Sequence, residues 1–335
     1  MADQISISTV TPVYRGSKTI RDLVLEIELY KDYLVRIGSP LRIIESIFVD
    51  DGSADGSTEE LEKLEQEFSW IKAVYLSRNF GQHPATIAGI LYSSGDWVVT
   101  LDEDLQHRPE FILSMFKEAV YKKADIVYAN SNESIHGAFI RDFSSRFIKS
   151  ILRKISGNKN VPYFNSFRLI RGSVARAASS VAIDQTYFDV ALSWFTDKVS
   201  IVKIPLKDLR YIETGKSGYT LKSLISHASR LLQSSNVKYI RFGAVLGVLA
   251  MFIGVFGSLV VLFKKLFYPE LITSDGWTSL IIVTFLLGGL SAFLNGLTLE
   301  KISTILMQTH GKPKYFVVDR KTDVIIRNWI ENSKV

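Results

Sequence analysis

The chain has 335 residues, 40 Lys and Arg against 34 Asp and Glu, and no cysteine. Its length suits one large domain with an appendage, or two small domains. Without cysteine there are no disulfides or thiolate metal sites; a net charge of +6 with no basic run argues against a nucleic-acid arm and suits a face set on anionic lipid.

In chain order, Met1 to Val10 is short and alternating, with an acid at Asp3. It lacks a basic start and a long apolar run, so no cleaved signal peptide is expected. Ser6–Val10 reads as a strand closed by Thr11-Pro12, and Arg42–Val49, Ala73–Leu76, Trp97–Leu101 and Ile126–Ala129 read as four more. Helical patterns lie between them at Thr19–Tyr33, Ser57–Glu67, Pro84–Tyr92 and Pro109–Lys122. Strands alternating with helices predict right-handed βαβ units, a mostly parallel sheet and an α/β fold. Ligands of such sheets bind beyond the carboxyl ends of the strands. Four polar clusters stand there: Pro12-Val13-Tyr14, Asp50-Asp51, Arg78-Asn79 and Asp102-Glu103-Asp104.

Farther along, Phe139–Ile155 and Leu221–Leu232 are basic amphipathic stretches, read either as helices on a membrane surface or as solvated helices over a core. Phe242–Phe263 and Trp277–Leu299 carry no charge, and each has the roughly 20 residues a membrane span needs. The short loop between them predicts a hairpin with both ends on one side. Lys222, Arg230, Lys238 and Arg241 precede it and Lys301, Lys312, Lys314, Arg320 and Lys321 follow it, against Lys264 and Lys265 in the loop. The positive-inside rule then sets both flanks in the cytoplasm. The expected organisation is a catalytic domain over 1–220, a juxtamembrane helix over 221–241, a hairpin over 242–300 and a cytoplasmic tail over 301–335.

Asp102 and Asp104 stand two residues apart at a strand end. Two carboxylates so placed can hold one hard cation, Mg²⁺ or Mn²⁺, which fills its other positions with phosphate and water and neutralises a diphosphate leaving group. Taken alone, the pair also fits a helix N-cap. Asp51 can accept from the N–H of a nucleobase, while Asp55 and Ser57 read as a turn and cap. His83 and His107 lack partners at metal-ligand spacing and read as hydrogen-bonding loop residues. Gly215-Lys216-Ser217 lacks the earlier glycine of a P-loop.

Thr11-Pro12-Val13-Tyr14, Val49-Asp50-Asp51-Gly52-Ser53, Ser77-Arg78-Asn79-Phe80-Gly81-Gln82 and Leu101-Asp102-Glu103-Asp104-Leu105-Gln106 stand in order. Together they resemble family 2 glycosyltransferases of the dolichol-phosphate mannose synthase-like branch, whose bactoprenol glucosyltransferase-type members end in two transmembrane helices. The resemblance implies a Rossmann-like GT-A fold and inverting transfer from a UDP- or GDP-linked sugar to a polyprenyl phosphate at the bacterial inner membrane. It implies that Pro12, Tyr14 and Asp51 hold the base and ribose, and that Asp102, Asp104 and Gln106 surround the metal and the donor diphosphate. Arg141 and Ser145 match the branch's acceptor-phosphate residues; in the Gly215–Tyr219 run the branch's lysine is shifted and Ile212 stands near its arginine, so Lys216 or Arg210 is the expected substitute, and Ser166-Phe167-Arg168-Leu169 matches a strand on the acceptor side. The expected partners are the nucleotide-sugar, the polyprenyl-phosphate lipid and the membrane, with no nucleic acid; assembly into homo-oligomers is left open.

A phosphate acceptor is already anionic and needs no base, whereas a hydroxyl acceptor does. Asp189, in the helical stretch Gln185–Trp194, is the candidate base in that second case, with a structural acid as its other reading. A silent membrane scaffold is the reading from another class, and the intact acidic motifs argue against it.

Overall fold

The structure is a computed structural model, and it describes residues 4–131, 159–182, 187–205, 238–271, 276–309 and 321–333. The chain forms two compact units, one of them made mostly of residues 235–312 and the other of the flanking sequence on both sides.

In the flanking unit the elements run β1 (Ile5–Val13), α1 (Ile20–Arg36), β2 (Leu41–Asp50), α2 (Ser57–Glu67), β3 (Ile71–Tyr75), α3 (Gln82–Tyr92), β4 (Trp97–Thr100) and α4 (Ile112–Lys122). They continue as β5 (Ile126–Ser131), β6 (Arg168–Arg171), α5 (Gly172–Val181), α6 (Phe188–Phe195) and β7 (Val199–Ile204). One sheet takes all seven strands in the order β3-β2-β1-β4-β6-β5-β7. It is parallel except around β6, which runs against both β4 and β5. The expected α/β fold with a mostly parallel sheet is therefore present.

Helices cover both faces. Ile20, Leu23 and Ile27 of α1, Leu61 of α2 and Phe116 of α4 share one buried cluster with Ile5 and Ile7 of β1. Ala85 and Ile90 of α3, Val174 of α5 and Phe188 of α6 form another with Val10, Ile47 and Val98. Gly89 lets α3 lie flat on the sheet, because a Cβ there would stand 2.5 Å from Val10 and 2.8 Å from Val49.

Two of the boundaries that differ from the sequence reading have a clear physical cause. β1 runs on through Pro12, where the strand was expected to close. The Val10 carbonyl accepts from Leu101 on the β4 side and the Val13 carbonyl accepts from Asp51 on the β2 side. Pro12 therefore turns its missing N–H toward β4, past the end of their ladder at Val10 and Thr100. α3 begins at Gln82, two residues before Pro84. The proline falls in the first turn, where backbone N–H groups have no helical partner to lose.

The sequence reading set 301–335 apart as a tail. Within that range, residues 301–309 prolong the preceding helix, and Lys321–Ser333 forms α9, part of the sheet-bearing unit. Ile326 and Ile330 of α9 are buried in the core against the α4 side of the sheet. Asp323 accepts from Arg171 Nη2 at 2.8 and 3.0 Å.

The other unit holds α7 (Lys238–Phe267) and α8 (Trp277–Thr309), which contain the two uncharged stretches. They pack antiparallel: Gly254 faces Phe285 and Gly289, and the Ser258 hydroxyl approaches the Ile282 carbonyl. A Cβ on Gly254 would lie 2.5 Å from the Phe285 oxygen, so the backbones meet as small residues allow. Among the described residues, Ser279–Leu299 is long and apolar enough to cross a membrane by length and composition. The amphipathic stretches expected at Phe139–Ile155 and Leu221–Leu232 lie outside the described residues.

Candidate active site

The loops that leave β1, β2, β3 and β4 meet at the carboxyl end of the parallel strands. Side chains of the acidic motifs bind the backbone of their neighbours there. Tyr14, 42 % exposed, donates its N–H to Glu103 Oε2 at 2.8 Å, so the middle acid of Asp102-Glu103-Asp104 fastens the loop after β1. Gly16 N–H reaches Ser57 Oγ at 3.0 Å, and Ser17 N–H reaches Asp55 Oδ2 at 3.1 Å. Burial opposes the Asp55 charge, but hydrogen bonds from Ser57 and Ser17 outweigh it and hold the carboxyl at a pKa of about 2.

After β2, Asp50 closes its own turn by accepting from the Ser53 N–H and the Thr58 hydroxyl. Asp51 is 2 % exposed and accepts from Phe80 N–H and Gly81 N–H, both at 2.7 Å. It thus joins the loop after β2 to the loop after β3. Gly52, at φ +68°, makes that approach possible: a Cβ there would stand 2.7 Å from the Arg78 carbonyl carbon.

After β4, each oxygen of Asp102 has an uncharged donor. Gln82 Nε2 donates to Oδ1 and Ser166 Oγ to Oδ2, both at 2.7 Å. The Asp102 N–H donates to His107 Nδ1 at 3.0 Å, so that nitrogen carries no proton. Its 3.6 Å approach to Asp102 Oδ2 is therefore not an ion pair. The ring stacks on Phe167 at 4.7 Å, which makes His107 the hydrogen-bonding loop residue expected of it. Asp104 Oδ2 accepts from Gln106 Nε2 at 3.0 Å, across Leu105 at φ +62°.

Of the residues singled out from the sequence, Pro12, Tyr14, Asp51, Asp102, Asp104 and Gln106 all lie on these strand ends and loops. Gln106 meets Asp104 directly. Arg141, Ser145 and Lys216 lie outside the described residues. Asp189 is 1 % exposed in α6. Arg168 holds it by Nε to Oδ1 at 2.7 Å and Nη2 to Oδ2 at 2.8 Å, and the Tyr128 hydroxyl donates to Oδ1 at 2.8 Å. Burial opposes the Arg168 charge, but Asp189 outweighs it and holds the guanidinium above its usual range. Burial first, then Asp189, pushes the Tyr128 hydroxyl well above its usual range.

The sequence reading assigned no role to Gln82, Ser166 or Glu103. Gln82 closes the Ser77–Gln82 motif and Ser166 opens the Ser166–Leu169 run, so both stood in quoted motifs without a known partner.

Among the described residues, no three carboxylate or imidazole groups converge as a ready-made metal cage. The donor set still fits Mg²⁺ or Mn²⁺, because it is all hard oxygen, and neither Lys nor Arg among the described residues pairs with Asp102. A cation held by two carboxylates would complete its shell with phosphate and water.

The sequence comparisons agree on a family. The sequence model described as glycosyl transferase family 2 matches residues 8–178. An undecaprenyl-phosphate 4-deoxy-4-formamido-L-arabinose transferase of Pectobacterium carotovorum subsp. carotovorum (strain PC1) is 30 % identical, over 95 % of this chain and 94 % of that protein. The protein of the same name from Edwardsiella ictaluri (strain 93-146) is 29 % identical, over 93 % of each chain. Mannosyl-3-phosphoglycerate synthase from Rubrobacter xylanophilus aligns with a TM-score of 0.47 at 14 % identity, over 69 % of this chain and 72 % of that one.

Proposed function

The chain belongs to glycosyl transferase family 2, and we propose that it transfers a sugar from a UDP- or GDP-linked donor to a polyprenyl phosphate at the bacterial inner membrane. The observation that carries this reading is the acidic shelf after β4, where Asp102 accepts from an amide and a hydroxyl beside the loops of β1, β2 and β3. Tyr14 and the Asp51 loop border the shelf on the side expected to take base and ribose. Asp102 and Asp104, with Gln106 beside them, would hold Mg²⁺ or Mn²⁺. That cation supplies neutralisation of the departing diphosphate.

The acceptor reading has three supports. The relatives named for undecaprenyl-phosphate sugar transfer match across the hydrophobic hairpin as well as the sheet. A phosphate oxygen is anionic already and needs no base to attack the anomeric carbon from the face opposite the diphosphate. Asp189, the candidate base for a hydroxyl acceptor, spends its oxygens on Arg168 and Tyr128 inside the core, and we read it as structural. Arg141, Ser145 and Lys216 remain the residues proposed for the acceptor phosphate.

Topology follows from chain order. A hairpin of two spans, α7 and α8, would return the chain to the side it left. The basic residues on both flanks support a cytoplasmic assignment for that side. Membranes carrying the protein, given undecaprenyl phosphate and a panel of nucleotide-sugars, should form a glycolipid that mild acid cleaves back to free sugar. An acid-stable glycolipid would favour a hydroxyl acceptor. Absence of both transfer and nucleotide-sugar hydrolysis would favour a scaffold.

A further inference from the structure

The Ser77–Gln82 segment has no part in the chemistry described so far, although its geometry leads directly to Asp102. Asp51 takes the N–H groups of Phe80 and Gly81 with short, charge-assisted bonds in a buried position. The next residue is Gln82, the first of α3. Its backbone is therefore set by Asp51, and its amide reaches Asp102 Oδ1 at 2.7 Å. Gly52 closes the other side of this loop against Arg78. The two acidic motifs at the ends of β2 and β4 are thus joined by one backbone loop and one amide.

We infer that Gln82 is a positioning residue for the cation-binding carboxylate of Asp102, working with Ser166 and set in place by Asp51. The inference rests on the reading of Asp102 as a cation ligand. A carboxylate hinged only at its Cα can turn about both side-chain torsions. With Gln82 on one oxygen and Ser166 on the other, its plane is fixed. Partners that orient a metal ligand are worth about tenfold to a hundredfold in metal affinity. The donors must also be uncharged. An ammonium or guanidinium in the place of Gln82 would fix the same oxygen while cancelling the charge the cation needs, as Arg168 does to Asp189.

This distinction gives the test. Full-length protein in detergent is titrated with Mn²⁺ at saturating UDP and, in a parallel set, at saturating GDP, and free Mn²⁺ is read by electron paramagnetic resonance. Gln82→Ala should weaken Mn²⁺ binding about tenfold without lowering the thermal midpoint. Gln82→Lys can still reach Asp102 but brings a positive charge, so it should bind Mn²⁺ more weakly than Gln82→Ala. A purely structural Gln82 would give the opposite order, with Lys rescuing Ala, and that result overturns the inference. So does wild-type affinity in Gln82→Ala while Asp102→Asn loses Mn²⁺. If Asp102→Asn itself bound Mn²⁺ like wild type, the reading of Asp102 as a ligand would fail, and the inference with it.

Discussion

Asp102 and Asp189 both stand near the carboxyl end of the sheet, and their surroundings treat the same side chain in opposite ways. Asp189 is 1 % exposed and faces a guanidinium that neutralises it. Asp102 has a side chain 26 % exposed and faces an amide and a hydroxyl that hold it without neutralising it. The first arrangement makes a structural joint: Arg168 of β6, Tyr128 of β5 and α6 meet on one carboxylate. The second aims a carboxylate at the surface with no Lys or Arg paired to it among the described residues, where a cation and a diphosphate can use it. The character of the partner, more than the acid itself, separates the joint from the site.

The largest effect should come from breaking the joint. Asp189→Asn leaves Arg168 buried beside an uncharged amide and should destabilise the unit by about 3–5 kcal/mol, read as a fall in the thermal midpoint in detergent. Exchanging both partners for apolar residues of similar volume, Arg168→Met with Asp189→Leu, should recover much of that loss. If Asp189→Asn instead kept full stability and lost transfer, Asp189 would belong to the reaction and the hydroxyl-acceptor reading would return.

Next comes the shelf. Asp104→Ala should lower transfer by at least about a hundredfold and leave the thermal midpoint unchanged, the reverse of Asp189→Asn. Chelation of wild-type protein with EDTA should have the same effect. Transfer that survives EDTA undiminished would remove the cation from the reading.

How much of this contrast could be read from the sequence depends on how far apart the partners lie. β1, β2 and β4 were legible because each is an apolar run ending in a polar motif, and Asp102 and Asp104 were legible with them. β6 was harder to see as Arg168–Arg171, because its two arginines become acceptable in a sheet only once Asp189, Asp125 and Asp323 are brought to them. β7 is an edge strand of partly exposed residues with a weak pattern of its own. Gln82 and Ser166 reach Asp102 from 20 and 64 residues away, and no local spacing encodes such contacts. Asp51 was legible as a strand-end acid, while its grip on Phe80 and Gly81 required the fold.

A third acid, Glu45, sharpens the comparison through pH. It is 3 % exposed and accepts from Ser8 and Ser94 hydroxyls, the Ser94 N–H and Lys72. Burial raises its pKa, but Lys72, Ser8 and Ser94 outweigh burial and lower it from 4.5 to about 2. A lowered folded pKa means stability that is present above the unfolded value and lost as pH falls from about 4.5 toward 2. The contribution should be roughly 2 kcal/mol, discounted because Lys72 is half-exposed and screened. Glu45→Gln should lower the thermal midpoint at neutral pH and flatten its decline over that acid range. An unchanged acid profile in Glu45→Gln would assign the decline to other carboxylates.

The smallest effect concerns the second cluster, which ties α9 to β6. Arg171 donates Nε to Asp125 at 3.1 Å and Nη2 to Asp323 of α9, and lies over the Trp97 ring at 4.4 Å. Asp323→Ala removes one of the two carboxylates that pair with Arg171 among the described residues. Arg171 then keeps Asp125 and the indole face, and the vacated side of Asp323, whose side chain is 16 % exposed, admits water. The cost should therefore be about 1 kcal/mol, well under that of Asp189→Asn, where the guanidinium loses its counter-charge in a sealed interior. Removing residues 321–335 is a different change, because it also uncovers Ile326 and Ile330, worth roughly 1.5–3 kcal/mol each. Thermal unfolding of the point variant and the truncation, side by side, tests this order. If Asp323→Ala destabilised as much as the truncation, the ion pair would be the main fastening of α9, and the contrast between sealed and vented carboxylates would not hold for this cluster.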